Sequence, residues 1–274
     1  MLHKISTWLL LKRLSWEERV MLGAFAIFSF VYPFGILLLS FGWMPFGMEW
    51  MSSLLLALMG VTAWAWLGVN FGTWGAVAGV AIFLAGIGIE WFGVETGTPF
   101  GPYRYTEVLA PILPNGVPTS IGSAWQMIVV SGLATAAWLL RGRLGAGSIW
   151  LVSAVGAALA VGLDFLLEPV AFHVKRYWEW LGDGGGYYGV PWSNFATWFV
   201  AVLVLNMLVS LRIDWRGKTK WAWVPVALYT MNVIMFGIVG LAHGFWWSGV
   251  IGVGLSVVLY LVGRPTLRIM GLRL

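Results

Sequence analysis

The sequence has no cysteine, only three histidines, and Asp, Glu, Lys or Arg at just 10% of its 274 positions. A soluble domain carries roughly 25% charged residues. The missing cysteine excludes disulfides and thiolate metal sites, though it leaves the compartment open. His173 and His243 have no partner at metal-ligand spacing, so no metal is expected. Long hydrophilic linkers are lacking as well, which excludes a separate soluble domain and leaves residues 1–274 as one membrane domain.

What is abundant is apolar: 60% of the residues are hydrophobic, with 20 Trp among them. A spanning helix needs about 20 mainly apolar residues. Eight stretches qualify, at 20–41, 51–69, 73–93, 119–140, 147–168, 194–211, 221–241 and 245–263. The expected fold is therefore all-α, a polytopic membrane helical bundle of about eight transmembrane helices.

Charge orients the spans, because short cytoplasmic loops collect Lys and Arg. With the N-terminus inside, the inner segments hold Lys4, Lys12, Arg13 and Arg19, then Arg141 and Arg143, then Arg212, Arg216, Lys218 and Lys220, then Arg264, Arg268 and Arg273. Only Arg104, Lys175 and Arg176 fall outside. Both termini are thus expected in the cytoplasm, the chain being multi-pass in the cell (inner) membrane. The net charge of +5 reads as topology and contact with anionic membrane lipids, not as nucleic-acid binding. Residues 1–19 are a basic segment with no small-residue cleavage site after a short apolar core, so the first helix is expected to stay as an anchor.

Two longer connections, 94–118 and 169–193, lie on the non-cytoplasmic side and carry Gly, Pro and Tyr in place of a linker composition. They are expected to be folded. They also repeat each other: Gly116-Val117-Pro118-Thr119-Ser120 precedes Trp125 as Gly189-Val190-Pro191-Trp192-Ser193 precedes Trp198. Upstream, Gly88-Ile89-Glu90 with Glu95 matches Gly162-Leu163-Asp164 with Glu168 to within one residue. Helices three and four would then repeat as helices five and six. The two copies run parallel, related by an axis along the membrane normal.

Acids at membrane depth are costly, about 2.5–3.5 kcal/mol each on insertion scales, so Glu90, Asp164, Glu95 and Glu168 are the candidate catalytic residues. Asp164 and Glu168, four apart, share a helical face. Clustered carboxyls repel in a poorly solvating site, and at least one is expected to keep its proton and act as a donor. The bland alternative is a carboxyl that pins helices together by pairing with Arg104 or Lys175. Most of the aromatics suit interfacial belts. Tyr103, Tyr105, Trp125, Tyr187, Tyr188 and Trp198, beside the acids, are candidates to line a substrate site and steady a cation. Asn194 is a candidate to hold water or hydroxyl, or a helix cap.

The run Glu90-Trp91-Phe92-Gly93-Val94-Glu95-Thr96-Gly97-Thr98-Pro99-Phe100-Gly101-Pro102-Tyr103-Arg104-Tyr105 resembles the integral-membrane carotenoid hydratases. The likeness extends over about residues 85–200, through Val117-Pro118 to Trp125, Asp164 to Pro169, and Gly189-Val190-Pro191-Trp192-Ser193-Asn194-Phe195. Where many members of that family place Asp before the Pro, this chain has Glu168-Pro169, a carboxyl moved by one methylene. The resemblance implies a lyase of carotenoid biosynthesis that adds water to the terminal double bond of an acyclic carotenoid end. The substrate would come from the bilayer, no cofactor would be needed, and other carotenoid-pathway enzymes are the implied partners. Three other readings stand beside it. An isoprenoid-lipid transporter or binding protein would use the same acids. A desaturase or oxygenase would call for a histidine cluster or a dinucleotide fingerprint, and the sequence has neither. A scaffold for a pigment-making complex would need no acids.

Overall fold

Apolar runs long enough to cross a bilayer and too poor in charge for water become helices, because only a helix satisfies every backbone group within its own segment. The computed structural model describes residues 14–269 apart from 142–143, 146–147, 183–184, 216 and 218. Of the basic residues that orient the spans, Lys4, Lys12, Arg13, Arg143, Arg216, Lys218 and Arg273 lie outside the described residues, as do the side chains of Arg264 and Arg268. Helix α1 is Trp16–Ser40, and a 47-residue helical stretch, Trp50–Thr96, follows it. Then come strand β1 (Tyr103–Tyr105), α4 (Ser120–Leu139), α5 (Ser148–Pro169), strand β2 (Trp178–Trp180), α6 (Trp192–Ser210), α7 (Trp223–Ala242) and α8 (Trp246–Ile269).

The stretch Trp50–Thr96 is not one straight rod. Gly72 has φ 58° and ψ −143°, a conformation that excludes side-chain-bearing residues, and it divides the stretch into α2 (50–71) and α3 (73–96). The indole of Trp64 donates to the Ala76 carbonyl at 3.1 Å, and Gly79 packs against Trp64. Contacts between residues that lie about equally far before and after Gly72 mean that the chain reverses, so α2 and α3 form an antiparallel hairpin. Six helices among the described residues are long and apolar enough to span. With this hairpin taken as two passes, and α8 completing the set, the bundle has the eight passes that hydropathy suggests. An even number places both ends of the described chain on one face.

That face is stitched by side chains. Ser15 and Glu18 form a reciprocal cap at the start of α1, which offsets two orphan backbone donors. Glu18 also accepts from the Trp221 indole at 3.0 Å, tying α1 to the connection before α7. Lipid-facing positions of α1, α6 and α8, such as Phe30, Val200, Leu208 and Val253, are apolar and exposed, which only a bilayer tolerates on this scale. Exposed Trp16, Trp150 and Trp223 lie toward that face, and Trp43, Trp50, Trp192, Trp246 and Trp247 toward the opposite one, as two aromatic girdles. The centre of the bundle is α4, buried along almost its whole length.

The internal repeat is visible in how the copies meet. Helices α3 and α5 run away from the face that holds the two chain ends, while α4 and α6 return. The connection inside each pair contributes one strand, and the two strands pair with each other. Trp125 of α4 stacks on Trp198 of α6, its repeat counterpart, with centroids 4.1 Å apart and planes 11° from parallel.

The hairpin generates a test. A Cβ on Gly75 would collide with the Leu67 carbonyl across the turn, whereas one on Gly88 meets nothing within 4 Å. Gly75→Ala is expected to lower stability by about 1–3 kcal/mol through overpacking. Gly88→Ala should be neutral or slightly stabilising, since helical Gly costs up to about 1 kcal/mol relative to Ala. Thermal unfolding in detergent distinguishes them, and equal midpoints for the two variants would refute the packed hairpin.

Candidate active site

The site is roofed by the two short strands. They pair antiparallel with Tyr103 opposite Trp180, Arg104 opposite Glu179 and Tyr105 opposite Trp178. Side chains alternate across a strand. Here Arg104 and Glu179 share the outward face and pair there at 2.6 Å, both well exposed. The four aromatics share the inward face, each with an O–H or N–H to offer. The flanking backbone extends the roof: Thr106 N donates to Tyr177 O and Leu181 N to Pro102 O, both at 2.9 Å.

Three buried carboxyls lie beneath. Glu90 on α3 is 5% exposed, Asp164 on α5 is 0% and Glu168 is 3%. They are near enough to feel one another's charge. Glu90 accepts three hydrogen bonds: at Oε2 from the Tyr103 and Tyr105 hydroxyls at 2.6 and 2.8 Å, and at Oε1 from the Trp125 indole at 3.0 Å. Glu168 also accepts three, from Trp178 and Trp180 at 3.1 and 3.4 Å and from the Asn194 amide at 3.1 Å. The same Asn194 nitrogen donates to Asp164 Oδ2 at 3.0 Å. Asp164 Oδ1 is buried with no hydrogen-bond partner among the described residues. Burial, then the neighbouring Glu90, pushes both Tyr103 and Tyr105 up, so these phenols stay protonated and keep donating.

A cavity of about 340 Å³ opens from these acids. Trp125, Trp198, Phe100, Ile121 and Leu109 line it near the carboxyls, and Met48, Met51, Met59 and Met235 line it further along. It reaches Phe34 of α1, which is 54% exposed on the lipid side, and Pro45 in the connection to α2. Lys175 also lines the wall, its ammonium 5.5 Å from the Tyr177 ring centroid. Burial pulls Lys175 below its ordinary range, and Glu49 opposes that shift.

Eight sequence candidates converge here: Glu90, Asp164, Glu168, Tyr103, Tyr105, Trp125, Asn194 and Trp198, the last stacked behind Trp125 and also on the cavity wall. Glu95 does not join them. It is exposed and accepts from Trp91 at 2.7 Å, because five helical residues beyond Glu90 turn it roughly 140° away, whereas Glu168 is turned only about 40° from Asp164. Tyr187 and Tyr188 are also displaced. Tyr187 packs against Phe165 and Phe195, and the Tyr188 hydroxyl accepts from Trp247 N, so both brace α5, α6 and α8 outside the cavity. Neither Arg104 nor Lys175 forms a salt bridge with the buried acids; Arg104 is taken by Glu179. Sequence reasoning missed Trp178 and Trp180. Their signal was the alternation Trp-Glu-Trp, which mirrors Tyr-Arg-Tyr in composition and charge.

The family described as carotenoid biosynthesis protein matches residues 49–259, which contain every residue of the roof and the acid cluster. A bisanhydrobacterioruberin hydratase from Haloarcula japonica is 27% identical over 186 residues, and the match covers 62% of this chain and 62% of that relative's length. No solved structure matches. With most of its length matched, and with its buried acids inside the matched region, the chain is a multi-pass membrane member of the carotenoid biosynthesis protein family.

Proposed function

We propose that this protein is a carotenoid hydratase that adds water across the terminal C=C of an acyclic carotenoid end, giving a tertiary alcohol. The observation that carries the reading is the unequal treatment of the three acids at the closed end of an apolar, lipid-facing cavity. Two glutamates are each held by three donors, an arrangement suited to carboxylates, and Asp164 alone has a free oxygen.

Asp164 is the proton donor in this mechanism. Its proton goes to the CH carbon of the terminal alkene, the π pair forms the new C–H bond, and the dimethyl carbon becomes a tertiary cation. Water attacks that carbon, and Glu168 takes the proton released from the water oxygen. Asn194, which donates to both acids, holds them side by side, so the proton returns from Glu168 to Asp164 and resets the site. The balance is one water added, with no oxidant or reductant. Glu90 stays a carboxylate and offsets the cationic charge. The two-stranded roof keeps bulk water from the donor.

In this reading the roof lies on the non-cytoplasmic side of the cell membrane, both termini being inside. A proton-coupled isoprenoid carrier is less well supported, because it needs acids reached from both faces, and among the described residues the cavity lining runs from the acids to α1 and the connection between α1 and α2.

The test is expression in a bacterial host making lycopene or gamma-carotene, with pigments read by mass spectrometry. Wild type is expected to add roughly 18 Da, one water per reacting end, and Asp164→Asn to reduce product at least about 100-fold. A wild type that is well expressed yet leaves acyclic carotenoids unchanged would shift the weight to lipid binding or transport. Full activity in Asp164→Asn would remove it as the donor.

The donors generate a second expectation. Trp178→Phe takes one N–H from Glu168, and Tyr103→Phe takes one O–H from Glu90. Each should slow hydration by about tenfold or more without abolishing it, as the loss of one donor to a charged group costs about 1.5–3 kcal/mol. Glu95→Gln, outside the cluster, should keep the wild-type rate. Rate assays in isolated membranes would reveal a misassigned site if Glu95→Gln were the slowest of the three.

A further inference from the structure

The two copies of the repeat differ in polarity at a cavity-lining position that both of them supply. Gly116, Pro118, Ser120 and Trp125 correspond in order and spacing to Gly189, Pro191, Ser193 and Trp198. The same offset pairs Ile121 with Asn194. Both side chains are buried and both line the cavity. In the second copy the position carries the amide that bridges Asp164 and Glu168. In the first it carries a sec-butyl group with nothing to donate, one helical turn before Trp125 and beside Leu109 and Ala124.

The cavity therefore has a polar wall and an apolar wall at matching positions about the Trp125–Trp198 stack. An alkene end with two methyl groups on its last carbon has the same division: the methyls need an apolar surface, and the adjacent CH carbon must meet the donor. Ile is suited to such a surface, because a β-branched side chain in a helix is held near one χ1 rotamer and forms a fixed wall.

We infer that Ile121 is the specificity-determining residue of the reacting end: it receives the geminal methyls and so turns the CH carbon toward Asp164. This rests on the hydratase reading for its substrate class, but it concerns binding and orientation, not proton transfer. Ile121 does not take part in the chemistry.

The experiment is steady-state kinetics with lycopene for Ile121→Ala and Ile121→Leu in membranes. Ile121→Ala is expected to raise KM about tenfold or more and to lower kcat as well, because the alkene is no longer aimed at the donor, and Ile121→Leu to recover most of the loss. An unchanged KM, or a fall in kcat alone that Leu does not rescue, would overturn the assignment. Should Ile121→Ala fail to accumulate, Ile121→Val carries the test, with a KM rise of about threefold expected and no rise counting against the proposal. Quenching of tryptophan fluorescence by lycopene, in detergent and in an Asp164→Asn background, measures the same contact without turnover. Binding that weakens with Ile121→Ala while wild type yields no hydrated product would reject the hydratase reading and keep the contact. Hydrated product with binding indifferent to residue 121 would reject the contact alone.

Discussion

Three carboxyls buried beneath two aromatic strands are the constraint from which the rest of this architecture follows. Moving an ion out of water costs several kcal/mol even after the protein relaxes, and a bilayer protein has little water to relax with. The structure offsets that cost with donors: Tyr103, Tyr105 and Trp125 for Glu90, and Trp178, Trp180 and Asn194 for Glu168. Four of the six come from connections, not helices. The helices can hold the acids only if the connections are folded, and the connections stay folded because β1 and β2 satisfy each other's backbone where lipid would not. Roof and acids therefore form one cooperative unit.

The repeat explains how so short a chain builds this unit. Each copy supplies an acid-bearing helix rising to the roof, a strand, and a returning helix with a Trp, and apposition closes the strands into a sheet and the two Trp side chains into a stack. Perfect duplication would give two equivalent half-sites. Divergence at a few positions breaks the equivalence. In the second copy the two acids are four residues apart and both face inward; in the first, five residues separate them and the second is lost to the surface. Ile121 against Asn194 completes the asymmetry. One composite site with distinct sides results.

Much of this was legible in the sequence because it depends on one-dimensional quantities. Hydropathy runs are a property of segment length, so the eight passes could be read, including the Gly72 reversal that leaves the helix almost uninterrupted along the chain. The cost of charge in hydrocarbon singled out Glu90, Asp164 and Glu168. What depended on angles and pairing could not be read. Glu95 was grouped with Glu168 by spacing from its neighbour, although one residue more of helix rotates a side chain by about 100°. Tyr187 and Tyr188 were grouped by proximity along the chain, but they sit beyond the second strand and pack behind α5 and α6. Trp178 and Trp180 required knowing that two distant loops pair, and in which register, which no local pattern specifies.

On the proposed reaction, two kinds of force would steady a tertiary cation. A cation over an indole face gains about 2 kcal/mol when desolvated. Trp125 and Trp198 spend one face each on their mutual stack at 4.1 Å, and the Trp125 N–H is committed to Glu90, so only part of that gain is open to a substrate. Unit charges about 4 Å apart interact by about 4 kcal/mol at an effective dielectric of 20. A carboxylate held that close would therefore outweigh the aromatic faces. The aromatics serve the cation at second hand: by holding Glu90 and Glu168 in place with N–H and O–H bonds, they keep negative charge aimed at a point that hydrocarbon alone would leave neutral.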